Sequence, residues 1–386
     1  VAILLILVLT GRKNKTDNSK NGKNTRKKNK HTLLKEANRR LSQNPKDAEA
    51  LQIVGQNHLE EGSYEKAMRT YDMLIELCAT DKELDEFDFT LKHAIASLRA
   101  NHLKEAYKSF KLARTMKQDV FEVNYNLGYL EYKAKNYEKA ASLLQQALQQ
   151  QPEHVQSLKY LGMTRLRLKR YNDAATSLRK ALDLEPEDKE SLFALGQCYY
   201  NIGKNEQALQ VFSHLRTDSN IGPTASLYSG SINMKSKRID QAIMDFTIGL
   251  RHENIKIDNK LELMYRLALA YIAQQQIGEA INLLEDIQNM RPAYKDVHSL
   301  IQQYSELNRN ESLQTFLIAP TSDFVALCRR LSLTFFPKAK VKITDISMHK
   351  SEFADILAEV STVKWEDTVL FRFVRTTNQI GELLLR

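Results

Sequence analysis

Two stretches of this chain coincide when shifted by 34 places, and this period limits the possible folds more than any other feature. NYNLGYLEYKAKNYEKAASLLQQALQQQP runs from Asn124 to Pro152, and LKYLGMTRLRLKRYNDAATSLRKALDLEP runs from Leu158 to Pro186. Leu127 falls on Leu161, Gly128 on Gly162, Ala140 on Ala174, Ala147 on Ala181 and Pro152 on Pro186. The frame continues through Leu195, Gly196, Tyr199, Ala208 and Phe212, then Gly230, Ala242 and Phe246. With four extra residues it returns at Leu267, Ala268, Tyr271, Ala280 and Pro292. Upstream it passes through Ala94, Ala106, Phe110 and Ala113 and, before a five-residue insertion, Val54, Gly55, Ala67 and Tyr71. Seven repeats result, starting near 48, 87, 121, 155, 189, 223 and 261.

Within each repeat, apolar residues recur at i, i+3, i+4 and i+7 in two runs, the signature of two amphipathic helices. A small residue at the eighth place and Ala at the twentieth let those helices approach closely. One such pair cannot bury its apolar face alone, so the repeats must stack. The pattern resembles the tetratricopeptide repeat over roughly two thirds of the chain. This resemblance implies a mainly α fold, a right-handed superhelical solenoid, with a leading helix over 31–47 and seven repeats over 48–294. YKDVHSLIQQYSELN then supplies a capping helix over 295–310.

These repeats bring no catalytic chemistry of their own. The nine His are scattered without HExxH spacing, and neither GxxxxGK[ST] nor GxGxxG is present, so no cofactor and no metal is expected. Cys78, Cys198 and Cys328 form neither a disulfide framework nor a ligand set and read as ordinary buried thiols.

The resemblance also implies a concave face lined by the first helix of each repeat, at roughly its second, fifth, ninth, twelfth and thirteenth places. In the third to fifth repeats these places hold Tyr125, Tyr129, Tyr132 and Lys133, then Lys159, Met163 and Arg167, then Phe193, Gln197, Tyr200 and Asn201. Aromatic bodies with polar tips and long cations suit a groove for a peptide or helix of a protein partner. The competing reading is that several of these Tyr pack between repeats. The family's best-known ligand mode clamps a terminal carboxylate with Lys and Asn at the fifth and ninth places. Here those pairs are Gln52/Gln56, Leu91/Ile95, Tyr125/Tyr129 and Lys159/Met163, which disfavours a chaperone-tail receptor.

The net charge of +9 belongs almost entirely to one segment. Residues 11–30 carry nine Lys and Arg against one Asp, whereas 31–319 carry 37 basic and 38 acidic side chains. Outside that segment no phosphate-binding excess exists, so nucleic acid is not expected as a partner. The segment follows VAILLILVLT, an apolar run at 1–10 with no initiator Met. A basic cluster after an apolar run fits the cytoplasmic side of a membrane helix, whereas a signal peptide places it before. The expectation is the cut end of a membrane anchor at 1–10, a basic disordered tether at 11–30 and a cytoplasmic remainder. A signal sequence, nuclear targeting and RNA binding are the alternatives.

From Pro320 the period is lost. SDFVALCRRLSLTFF reads as a helix, KAKVKITDISM, FADILAEVST and TVLFRFVRT as strands, and NQIGELLLR as the start of a helix. This incomplete α+β domain over 320–386 resembles the start of the restriction-endonuclease-like fold of the Mrr type. That fold continues with a further strand, so the stop at Arg386 reads as a truncation. The resemblance would make Asp355 the metal-binding acid, with Arg372 and Val374 where a Gln or Glu and a Lys hold the ion and orient water. A cation and an apolar residue at those places imply a dead site, in which Asp355 is vestigial. The function expected is a membrane-tethered, non-enzymatic scaffold that binds a protein through the concave face. The alternatives are a DNA-associated nuclease-like protein and a periplasmic envelope-assembly protein.

Overall fold

Seven backbone turns carry the period into three dimensions. The computed structural model describes residues 21–309, 311–317, 319–349 and 353–375. The apolar run at 1–10, the first half of the basic segment and NQIGELLLR lie outside them. Among the described residues no helix is long and apolar enough to cross a membrane. The chain divides into two compact halves, Val1–Ala194 and Leu195–Arg386, the division falling inside helix α10 (Lys189–Ile202).

The N-terminal half holds α1 (Asn21–Gln43) and then four helix pairs. These are α2 (Ala48–Glu60) with α3 (Tyr64–Cys78), α4 (Glu86–Arg99) with α5 (Leu103–Met116), α6 (Phe121–Lys133) with α7 (Tyr137–Gln150), and α8 (Val155–Arg167) with α9 (Tyr171–Leu184). Each helix packs on the next in chain order. Helix α1 takes in residues 21–30, which their composition assigns to the tether. Lys and Arg are good helix formers, and Leu34, Ala37 and Leu41 seat the helix on Ala50 and Val54.

The C-terminal half continues with α11 (Asn205–Leu215), α12 (Gly222–Lys235), α13 (Ile239–Leu250), α14 (Ile257–Ala273) and α15 (Ile277–Met290). Helix α16 (Val297–Arg309) closes on α15, with Val297, Leu300 and Ile301 against Leu284 and Ile287. Two further helices, α17 (Glu311–Leu317) and α18 (Thr321–Thr334), lead into three strands, β1 (Lys340–His349), β2 (Phe353–Ser361) and β3 (Glu366–Val374). These form an antiparallel sheet in the order β1-β2-β3, with a bulge between Ile343 and Asp345. Ala354 and Ile356 of β2 and Phe373 of β3 pack on Phe324 and Cys328 of α18.

Within each repeat, the first helix ends in a residue with positive φ at the fifteenth place. These residues are Gly62, Asn101, Lys135, Lys169, Gly203, Lys237 and Gln275. The next amide then bonds back five residues, as in Asn136 N to Glu131 O at 2.9 Å and Arg170 N to Arg165 O at 2.9 Å, which caps the helix in a Schellman turn. The second helix follows at once, from Tyr64, Leu103, Tyr137, Tyr171, Asn205, Ile239 and Ile277.

The turn brings the eighth place of the first helix against the twenty-fourth place in the second. A Cβ at Gly162 would lie 2.6 Å from Leu178 Cγ, one at Gly128 2.8 Å from Leu144 Cγ, and one at Gly196 2.7 Å from Phe212 Cε1. Leu144, Leu178, Phe212 and Phe246 are fully buried there. All three cysteines are free and buried, and burial pushes the Cys198 thiol up to about 12 and the Cys328 thiol up to about 11.

Helix α17 has two faces. Leu313 and Leu317 pack on Ile277 and Ile281 of α15, while Phe316 meets Phe324 of α18 at 5.2 Å between ring centroids and Phe373 of β3 at 6.5 Å. Arg375 closes the arrangement, donating to Phe316 O at 3.0 Å and to Ala319 O, with its guanidinium 4.5 Å from the Phe324 centroid.

Two measurements check this geometry. Gly162→Ala is expected to cost about 1–3 kcal/mol through overpacking, with loss of hydrogen-exchange protection centred on α8 and α9 and decaying with distance along the array. Lys169→Gly is expected to raise stability in urea by about 0.5–1 kcal/mol, because Gly removes the left-handed strain at its own smaller entropic cost. Gly203→Ala is expected to lose about 1 kcal/mol from strain alone, since nothing lies within 4 Å of a Cβ there.

Candidate functional site

Helix α6 lies against α8 through a chain of rings. Tyr129 meets Tyr160 edge-on at 5.0 Å, and Tyr132 meets Tyr160 at 5.5 Å. Tyr125 stacks on Phe121 at 5.8 Å and meets His154 edge-on at 4.8 Å. Tyr125 and Tyr129 are only 6% and 7% exposed, so both serve the packing between repeats. Burial raises the Tyr125 phenol well above its ordinary value.

What stays open on this surface is a smaller set. Tyr132 is half-buried, and its hydroxyl donates to Met163 Sδ at 3.8 Å. Burial raises the Tyr132 phenol, and the positive charge of nearby Arg167 pulls in the opposite direction. Lys133 is exposed, with Nζ 5.5 Å from the Tyr129 centroid, and Arg167 is exposed beside Tyr132. Met163, Ile95, Leu98 and Leu166 are half-buried.

Lys159 differs from the other two cations. Its ammonium is buried and donates to Asp188 Oδ1 at 2.9 Å, with Glu190 Oε2 at 2.8 Å. Burial alone would lower its pKa, but the bonds to Glu190 and Asp188 outweigh that and raise it. Its charge is spent inside the array. Phe193 is half-buried.

In the C-terminal half, Gln197 Nε2 donates to Tyr228 OH at 3.0 Å, and Tyr200 meets Tyr228 edge-on at 5.3 Å. Lys235 Nζ donates to Tyr200 OH at 2.7 Å and lies 4.6 Å from its centroid, while exposed Asn201 bonds to Gln197 O. Tyr160, Tyr228 and Lys235 were not among the places chosen from the sequence. Tyr160 holds the sixth place of its repeat, outside the five places expected to line the face. Further along, Lys295 Nζ lies 4.2 Å from the Tyr265 centroid and pairs with Glu262.

On the sheet, Arg372 stands opposite Asp355 in register and grips it with two bonds, Nε to Oδ1 at 2.8 Å and a terminal nitrogen to Oδ2 at 2.8 Å. His349 Nε2 lies 3.4 Å from the same carboxylate. The bond to Arg372 holds the Asp355 carboxyl below the usual carboxylate range. Glu359 is paired with Lys342 at 3.0 Å. Among the described residues, no group of three or more His, Cys, Asp or Glu could hold a metal ion.

Residues 119–187, 165–219 and 262–293 match family models described as tetratricopeptide repeat, and the chain carries such repeats. The C-terminal part of a TPR repeat-containing protein from Cytophaga hutchinsonii overlays with a TM-score of 0.51 at 15% identity, covering 64% of this chain and 98% of that one. A tetratricopeptide repeat protein from Parabacteroides merdae gives 0.43 at 14% identity, covering 66% and 97%. Pseudomonas aeruginosa pilF gives 0.44 at 16% identity, covering 57% and 97%. No curated protein matches in sequence. The Cytophaga likeness and the helix order describe a mainly helical, TPR-like solenoid fold with a small three-stranded sheet at its C-terminal side.

Asp355 gives a pH test with a definite sign. A carboxyl whose folded pKa is depressed contributes stability above its unfolded pKa of about 4 and loses it as the pH falls through the folded value. Between pH 7 and pH 2, wild type is therefore expected to lose more stability than Asp355→Asn, measured by thermal unfolding of the sheet. Equal losses would show that the Arg372 pair contributes nothing.

Proposed function

We propose that the tetratricopeptide repeats of this chain form a non-enzymatic scaffold that binds a protein or peptide partner on the surface of their first helices. The observation that carries this reading is the patch of Tyr132, Met163, Arg167 and Lys133, which combines partly open apolar bodies with cations. Interfaces draw most of their energy from a few aromatic, Met and Arg contacts at a desolvated centre. Tyr132 offers a ring that the α6–α8 packing already orients, so little side-chain entropy is lost when a partner covers it.

For the sheet we propose a supporting rather than catalytic role. A hydrolytic metal site needs acids free to ligate and a group that activates water, whereas Asp355 is held by Arg372. The apolar run at 1–10 and the basic residues after it support a tether to a membrane, with the repeats on the cytoplasmic side.

The test is capture of partners by the full chain, compared with Tyr132→Ala/Met163→Ala. The variant is expected to stay folded by circular dichroism and to bind at least about 30-fold more weakly, as hot-spot truncation of about 2 kcal/mol implies. A folded variant that captures the same partners normally would move the site to another face. Tyr129→Ala should instead lose about 3–5 kcal/mol of stability, as buried aromatic truncations do. Fractionation and protease treatment of intact cells test the tether: digestion of the repeats from outside would end the cytoplasmic reading.

A further inference from the structure

Three successive first helices of the N-terminal half end on a cation. Arg99 is the last residue of α4, Lys133 of α6 and Arg167 of α8, each at the thirteenth place of its repeat. A cation there complements the helix dipole, a role that is indifferent to whether the charge is also neutralised by a carboxylate. Yet neither Lys133 nor Arg167 meets a carboxylate among the described residues. Elsewhere in the same half, Lys92 pairs with Asp88, Lys159 with Asp188 and Glu190, and Arg170 with Glu138. Two acids close by are engaged elsewhere: Glu131, two residues before Lys133 on α6, is buried and accepts from Tyr107 OH and Asn136 Nδ2, and Glu190 is paired with Lys159. Lys133 and Arg167 are thus exposed at one edge of the patch and unpaired by a carboxylate among the described residues, with Lys133 Nζ over the Tyr129 ring and Arg167 beside Tyr132. Tyr132 and Met163, joined by the Tyr132 hydroxyl, lie half-buried alongside.

We infer that the segment seated on this surface is an acidic peptide of the partner protein. Its Asp and Glu side chains face Lys133 and Arg167, and its apolar residues rest on Tyr132 and Met163. The inference builds on the proposed binding surface and adds the partner's chemistry. A nucleic acid fits less well. The excess is confined to one edge, residues 31–319 hold 37 basic against 38 acidic side chains, and phosphate binding scales with the number of backbone charges neutralised.

The experiment is selection from a random 12-residue peptide library displayed on phage, with the immobilised full chain as bait. Synthetic copies of the enriched peptides are then measured by fluorescence anisotropy. The expected result is an enriched pool rich in Asp, Glu and apolar residues. Lys133→Glu/Arg167→Glu should bind its members at least tenfold more weakly, and the same peptides with Glu replaced by Lys should recover binding to that variant. A role confined to the helix dipole would not produce this charge-swap rescue. A neutral or basic pool, or an acidic pool held equally by the charge-reversed variant, would overturn the inference. Loss of that pool on Tyr132→Ala/Met163→Ala would still leave the binding surface standing. Selected peptides indifferent to both double variants, or no enrichment, would remove the surface as well. Displacement of the peptides by a 12-nucleotide single-stranded DNA at equimolar concentration would assign the row to nucleic acid and overturn the acidic-peptide inference.

Discussion

The contact between the eighth place of one helix and the twenty-fourth of the next governs the rest of this structure. Where the eighth place is Gly, a Leu, Phe or Tyr side chain lies directly on the helix backbone, as Leu178 does at Gly162, Phe212 at Gly196 and Tyr71 at Gly55. Where it is Ala, as at Ala94 and Ala268, the opposing Phe110 and Leu284 are still fully buried. Interiors this dense leave no slack for an added methyl group. The approach of the two helices sets which side of the first helix is consumed by packing and which side is left for other uses. The surface around Tyr132 is what remains once that contact is made.

Much of this was legible before any coordinates. A repeat of 34 fixes which residues share a helix face, and the small eighth place reports the close approach. The strands in KAKVKITDISM, FADILAEVST and TVLFRFVRT follow from their β-branched and aromatic alternation. The turn residues were not legible. Five of the seven left-handed positions carry Asn, Lys or Gln, so no glycine marks them. The helical reach into 21–30 was hidden too, because a Lys- and Asn-rich composition is compatible with either state until an adjoining amphipathic stretch anchors it.

The candidate site was only partly legible, for a different reason. Frame position places a Cα on a face but does not say what the side chain meets. Tyr125 and Tyr132 both fall on the chosen face, yet His154 and Phe121 enclose the first while the second stays half open. Lys159 and Arg167 read alike as cations. Asp188 and Glu190, at the N-terminal end of α10, neutralise the former. Likewise, Arg372 looked like an obstacle to a metal at Asp355, and the register of β2 with β3 makes it that carboxylate's own counter-ion. Apart from Phe121, which shares α6 with Tyr125, the decisive partners lie on other elements, at distances in sequence that periodicity does not report.

Helix α17 belongs to two neighbourhoods at once. Leu313 and Leu317 face the last repeat, Phe316 faces the sheet, and its closing carbonyl is held by Arg375 from beyond β3. The sheet is thus not a passenger on a string. Any genetic dissection that separates repeats from sheet at this point strips one of them of a wall, and a displacement of α15 is felt by Phe324 and Phe373 through a single shared helix. For engineering, the indivisible module here is α15 through β3, and useful cut points lie upstream, between repeats.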